Sequence, residues 1–302
     1  MKIIYRIFIG LGLVIAVLSL LGAVLPLPKP PAAGRIITLP DGTRINTYTK
    51  GEGPAIVLIH GLPGSAQDWP ETADALVAKG FQVTWYDRVG YGHSSRRQPE
   101  RPFTYQANAD ELDALIAAMG LDAPALVGWS FGGGVVQFSK AARQEDTPFI
   151  VLLAAVGPAM KIEGKIDQMR ATEWVLRMPF IGAVIARASI SSRFAETMPA
   201  RWVGVQRSLL LMPGTLDTLR GERNGHSPSV LSPGDITTPT LIIHGTKDPM
   251  VDYAVGMDLS KIIPNSKLIT LDGIGHMIPL SHPQEIADAI ATFSSGLRGE
   301  NP

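Results

Sequence analysis

Six short runs of apolar, largely β-branched residues recur along the chain: Ala55–Ile59, Gln82–Tyr86, Ala125–Val127, Phe149–Leu153, Thr240–Ile243 and Lys267–Leu271. Strands that are continuously apolar, rather than alternating with polar residues, are buried on both faces and belong to parallel sheets. The stretches between them place apolar residues three and four apart, which predicts helices over Thr72–Lys79, Tyr105–Met119, Phe131–Arg143 and Pro283–Phe293. Tyr105–Met119 is the clearest, with Leu112, Leu115, Ile116 and Met119 on one stripe and Gly120 as the stop. Ahead of this pattern, Arg35–Leu39 and Arg44–Lys50 alternate around Pro40-Asp41-Gly42 and predict an antiparallel hairpin at a sheet edge. The fold class that follows is α/β, a mostly parallel sheet covered by helices on both faces.

The alternation fails between Pro158 and Asp235. Trp174, Val175, Leu176, Met178, Phe180 and Ile181, then Trp202 and Leu209 to Met212, sit at helical spacings cut by Pro179, Pro199 and Pro213. So long an insertion between two strands is no simple connection, and residues 158–235 are expected to form a helical cap over the carboxyl edge of the sheet. Residues 35–157 and 236–297 are then the core.

The N-terminus has a different character. Ile7 to Leu25 carries no charge and is almost wholly apolar, about 19 residues, enough to span a bilayer core of about 30 Å as one helix. Lys2 and Arg6 precede it, which orients the rest of the chain to the non-cytoplasmic side. Residues 1–25 are therefore expected to be a single-pass transmembrane anchor, and the proline-rich residues 26–34 a stiff spacer. The alternative is secretion after cleavage of a signal peptide; against it, the apolar run is long and Leu21-Gly22-Ala23 puts leucine where a small residue is wanted. The 27 basic and 27 acidic side chains cancel, leaving no electrostatic footprint for nucleic acid. With no cysteine, disulfides and thiolate chemistry are excluded.

Within the core, Leu126-Val-Gly-Trp-Ser-Phe-Gly-Gly-Gly134 runs from a strand through Ser130 into a helix, with glycine two residues to either side of the serine. Such a turn is sharp and strained, and it projects a nucleophilic hydroxyl from the carboxyl edge of the sheet. Three other strand ends supply partners. His60-Gly61-Leu62-Pro63-Gly64 follows the Ala55–Ile59 strand, and the backbone N–H groups of Leu62 and Phe131 are placed to hold a developing oxyanion. His60 itself is expected only to bond neighbouring backbone. Asp248, just past the Thr240–Ile243 strand, is the expected acid, with Asp252 as the alternative. His276 after the last strand is the expected base, with His282 as its competitor at a helix start. His93, His226 and His244 have no supporting context, and no histidine and carboxylate cluster shows metal-ligand spacing.

The order Ser130, Asp248, His276, together with His60-Gly61, Asp87-Arg-Val-Gly-Tyr-Gly-His-Ser94, Gly245-Thr-Lys-Asp248-Pro and Gly275-His276, resembles the α/β-hydrolase fold superfamily from about Arg35 to Leu297. The resemblance implies a cofactor-free serine hydrolase acting on a small-molecule ester or related acyl compound, with the Asp87–Ser94 loop mainly structural. Haloalkane dehalogenases and epoxide hydrolases have a similar cap but need aspartate at position 130. Carbon–carbon bond hydrolysis and cofactor-free peroxidation use similar triads in the superfamily and stay open, as does a catalytically silent membrane-tethered binding protein. The wealth of Trp, Leu, Met and Ile in the insertion suggests an apolar substrate.

Overall fold

The computed structural model describes residues 30–98, 100–143, 147–157, 200–225 and 232–299, with parts of 5–17 and 173–188. The hairpin forms as expected: β1 (Arg35–Thr38) pairs antiparallel with β2 (Arg44–Lys50), turning through Gly42 at φ 84°. β2 then joins β4 (Gln82–Tyr86), again antiparallel. The remaining strands are parallel: β3 (Ala55–Ile59), β5 (Ala125–Trp129), β6 (Ile150–Leu153), β7 (Thr240–Gly245) and β8 (Ser266–Leu271). The eight-stranded order is β1-β2-β4-β3-β5-β6-β7-β8.

Each parallel strand sends alternate residues to opposite faces. Ile56, Leu58, Val127, Val151 and Leu241 pack on one side with α1 (Pro70–Ala78) and α8 (Pro283–Arg298), which follows the one-turn α7 (Ile278–Ser281), through Ala73, Leu76, Ile286 and Ile290. Val57, Ile59, Leu126, Leu152 and Ile242 face the other way. They meet α2 (Tyr105–Met119), α3 (Phe131–Phe138) and α6 (Tyr253–Ile262) through Leu112, Leu115, Val135, Val136 and Leu259. α2 has the expected bounds: the Thr104 hydroxyl accepts the Ala107 N–H, and Gly120 closes the helix in the left-handed region at φ 64°. α3 is shorter than expected. It ends at Phe138 because Ser139 turns extended and its hydroxyl bonds the Val136 carbonyl at 2.7 Å; Lys140–Arg143 continue as a 3-10 turn.

Between β6 and β7 the described residues are helical in α4 (Ala200–Leu210) and α5 (Thr215–Asn224). Trp174, Phe180, Ile181 and Pro199 lie outside the described residues. At the other end, residues 5–6, 9–10, 12–14 and 16–17 are helical and exposed; the rest of the expected membrane span lies outside the described residues. Among the described residues no helix is long and apolar enough to cross a membrane.

The folded unit starts earlier than the expected Arg35. The Pro31 carbonyl accepts from His93 Nε2 at 2.7 Å, the Ala32 carbonyl from the Tyr48 hydroxyl at 2.9 Å, and the Gly34 N–H donates to Asn46 Oδ1 at 2.7 Å. The final spacer residues are thus fastened to the sheet edge.

Candidate active site

The parallel register brings the carboxyl ends of neighbouring strands level, with Ile59 opposite Gly128, Trp129 opposite Leu153, and Leu153 opposite Ile243. Loops leaving those ends therefore meet over one edge. Ser130 stands at the end of β5 with φ 54° and ψ −118°, a positive-φ conformation that a non-glycine residue adopts only under constraint. The constraint is visible: its N–H donates to the Leu153 carbonyl at 2.9 Å, and its carbonyl accepts from Gly133 at 3.0 Å and Val156 at 3.2 Å. The flanking glycines are required by space. A Cβ on Gly132 would strike the Ile59 carbonyl, and one on Gly128 the Gly132 carbonyl.

The loop after β3 lies against this turn. A Cβ on Gly61 would sit 3.1 Å from the Ser130 Cβ, so glycine lets the chain carrying Leu62 approach the serine. Phe131 is the first residue of α3, where backbone N–H groups precede any intrahelical partner. Both expected oxyanion residues thus flank Ser130. His60 is fully buried and holds the loop: Nδ1 donates to the Gly61 carbonyl at 2.9 Å, and Nε2 accepts the Arg88 N–H at 3.0 Å. Burial, then the nearby Arg88 charge, push its pKa well below the usual histidine value, so the ring is neutral. This is the backbone-holding role its sequence context suggests.

Asp248 and His276 come together across 28 residues of sequence, with Nδ1 and Oδ2 2.6 Å apart. The other carboxylate oxygen accepts the N–H groups of Met250 at 2.8 Å and Val251 at 2.9 Å. His244 Nε2 lies 3.5 Å from Oδ2 while pointing to the Val251 carbonyl at 2.9 Å. Burial alone would raise the Asp248 pKa. The hydrogen bonds from His244 and His276 and the Val251 N–H outweigh it and hold the group well below the usual carboxylate range. Asp248 is then an anion, the proton between it and His276 sits on Nδ1, and Nε2 is the basic nitrogen of the ring. Asp252, the alternative acid, is instead the N-cap of α6, its Oδ1 accepting the Ala254 N–H at 2.8 Å. His282 precedes α8 and bonds Ser281, 2.8 Å from its hydroxyl. His226 lies outside the described residues. Asp87 organises its own loop, accepting from Asn46, Ala66 and His93.

Two participants escape the sequence reading. Trp129 donates its indole N–H to the His276 carbonyl at 2.9 Å, and its ring lies 5.4 Å from the imidazole, tying the serine turn to the histidine loop. A tryptophan at the end of a buried strand needs an acceptor for that N–H, which is the signal that points to it. Asp68 is 1% exposed and accepts from the Ser65 N–H at 2.9 Å, Trp202 Nε1 at 3.1 Å and Gln206 Nε2 at 2.5 Å, so α4 docks on the loop that carries Leu62. Its signal is the capping box Ser65-Ala-Gln-Asp68.

Burial raises the Asp68 pKa from 3.8 to about 7, despite its hydrogen bonds. The folded chain thus holds a proton that the unfolded chain releases, so stability falls as pH rises between about 4 and 7, by on the order of 4 kcal/mol over the window. Denaturant titrations across that range are expected to show a shallower decline for Asp68→Asn than for the parent. Parallel curves would place the Asp68 titration elsewhere.

The alpha/beta hydrolase family model matches residues 56–289. The chain belongs to this family. It is 27% identical over 279 residues to a bifunctional esterase/perhydrolase of Acinetobacter calcoaceticus, covering 85% of this chain and 98% of the relative. Its fold is similar to that of an esterase from Exiguobacterium antarcticum, with TM-score 0.72 and 21% identity over 87% of this chain and 99% of the other. A structure described as a membrane phospholipase A matches over 99% of both chains, with TM-score 0.71 and 21% identity. Membership of this family supports a hydrolase activity for the chain.

Proposed function

We propose that the protein is a serine hydrolase cleaving an ester, or a related acyl bond such as a lactone or thioester, of an apolar substrate. The observation that carries this is the 2.6 Å contact between Asp248 and His276, at the sheet edge where Ser130 is held in a positive-φ turn. In the proposed mechanism Ser130 Oγ attacks the acyl carbon while His276 Nε2 takes its proton. The carbonyl oxygen becomes an oxyanion between the N–H groups of Leu62 and Phe131. His276⁺, stabilised by Asp248, gives the proton to the leaving oxygen, and an acyl-serine remains. Water, deprotonated by the same imidazole, then releases the acid.

The domain plan expected from the sequence belongs to the same proposal: anchor 1–25, spacer 26–34, core 35–157 and 236–297, cap 158–235. Supporting the anchor, Tyr5, Ile9, Leu13, Val14 and Val17 are helical and all exposed, an apolar surface suited to lipid. The described membrane phospholipase A suggests which substrates to include, the acyl esters of membrane lipids.

The test is a panel of p-nitrophenyl esters of increasing chain length and short-chain phospholipids, with full-length protein in detergent and with a fragment beginning at Pro30. Turnover by both is expected, with a fluorophosphonate label on Ser130 by mass spectrometry. A label on another residue would move the nucleophile. In membrane fractions, the full chain is expected to resist alkaline carbonate; a mature N-terminus near Val24 with activity in the aqueous fraction would replace the anchor by a cleaved signal.

A further inference from the structure

One buried ion pair has no part in that mechanism. Arg88, in the loop after β4, is 1% exposed, and Glu222, on α5, is 0% exposed. Arg88 Nη1 donates to Glu222 Oε1 at 2.6 Å and Nη2 to Oε2 at 3.2 Å, while the Tyr91 hydroxyl donates to Oε2 at 2.7 Å. The remaining donors point at the β3 loop and α2: Nε to the His60 carbonyl at 3.2 Å, Nη2 to the Gly61 carbonyl at 3.0 Å, and Nη1 to Asn108 Oδ1 at 2.9 Å. The guanidinium carbon also lies 4.5 Å from the centre of the Phe131 ring. A single cation therefore contacts both segments that carry the expected oxyanion donors.

The Gly61 carbonyl is the other end of the planar peptide unit whose N–H belongs to Leu62. Fixing the direction of that carbonyl fixes the direction of the Leu62 N–H. It accepts from two donors, Arg88 Nη2 and His60 Nδ1, and polarising a carbonyl in this way makes its N–H a stronger donor. Removing two charges from water gives a buried pair little net stability, so net stability alone does not account for its placement here. The loop and α5 also touch closely: a Cβ on Gly90, at φ 97°, would strike Thr218.

We propose that Arg88, oriented by Glu222, is a positioning residue for the oxyanion site: it aims and polarises the Gly61–Leu62 peptide, so that seating of α5 on the core is a condition of efficient acyl transfer. This rests on the serine-hydrolase reading above. Arg88 touches no reacting atom and acts through the peptide it holds.

Arg88→Met/Glu222→Leu removes both charges together and leaves none buried without a partner, and Glu222→Gln is the smaller perturbation. Each full-length variant is compared with the parent on p-nitrophenyl butyrate, with rates expressed per site titrated by fluorophosphonate. Affinity for a trifluoromethyl ketone, whose serine adduct carries the oxyanion, is measured in parallel. The double variant is expected to lose about 10²-fold in kcat, the scale of one oxyanion donor, with KM within about threefold and inhibitor affinity falling in step with kcat/KM. Glu222→Gln is expected to lose about tenfold in the same pattern. If either folded variant has a lower melting temperature but parental kcat per titrated site and parental inhibitor affinity, the pair is structural only and the proposal fails. A parent that neither turns over esters nor labels at Ser130 overturns the serine-hydrolase reading itself, and the parent measurement separates the two failures.

Discussion

Ser130→Ala is expected to reduce ester turnover by on the order of 10⁴-fold or more while leaving the melting temperature close to that of the parent. Removing Oγ removes the atom on which the acyl group would be carried, so no partial function of His276 or Asp248 can replace it. The strained backbone at φ 54° persists because Leu153, Gly133 and Val156 hold it, and alanine keeps all three of those backbone bonds. Residual activity near the parental rate would show that the acyl group is carried elsewhere or that water attacks directly.

Asp248→Asn carries the second large effect, about 10³–10⁴-fold in kcat. An amide can present its NH₂ to His276 Nδ1, which moves the ring proton to Nε2 and leaves no basic nitrogen towards the serine. Oδ1 would still accept from Met250 and Val251, so the turn is expected to fold. Asp252→Asn should cost little activity, since asparagine is as good an N-cap as aspartate. Kinetics of the two variants side by side settle the assignment, and the reverse ranking would hand the acid role to Asp252.

The parallel strands are legible in the sequence because most of their residues are buried and apolar, and Ala55–Ile59 and Gln82–Tyr86 coincide with their strands residue for residue. α6 is not legible in the sequence: Tyr253–Ile262 has only Gly256 and Leu259 fully buried, and its one strong signal, the cap Asp252, competes with reading that carboxylate as a catalytic acid. The end of α3 is not legible either, because one serine hydroxyl, bonding back to Val136, decides it. In the site, Ser130, Asp248 and His276 stand out because each lies beside a glycine or proline turn at a strand end. Arg88, Trp129 and Asp68 do not, for their partners Glu222, His276 and Trp202 are 134, 147 and 134 residues away. Local pattern identifies the groups of the expected chemistry; for those that aim them it offers at most a cap or a strand-end indole, and tertiary contact shows what they hold.

The hydrogen bonds at Pro31, Ala32 and Gly34 fasten the chain to the folded unit from Pro31 onward. If the first 25 residues lie in a bilayer, the leash between it and Pro31 is residues 26–30, and five residues extend at most about 18 Å. A domain on so short a leash cannot patrol the surrounding solution. It would sample the lipid surface beneath it, so any substrate held in that surface would be met at its two-dimensional density there, whereas a soluble ester would still reach it from solution.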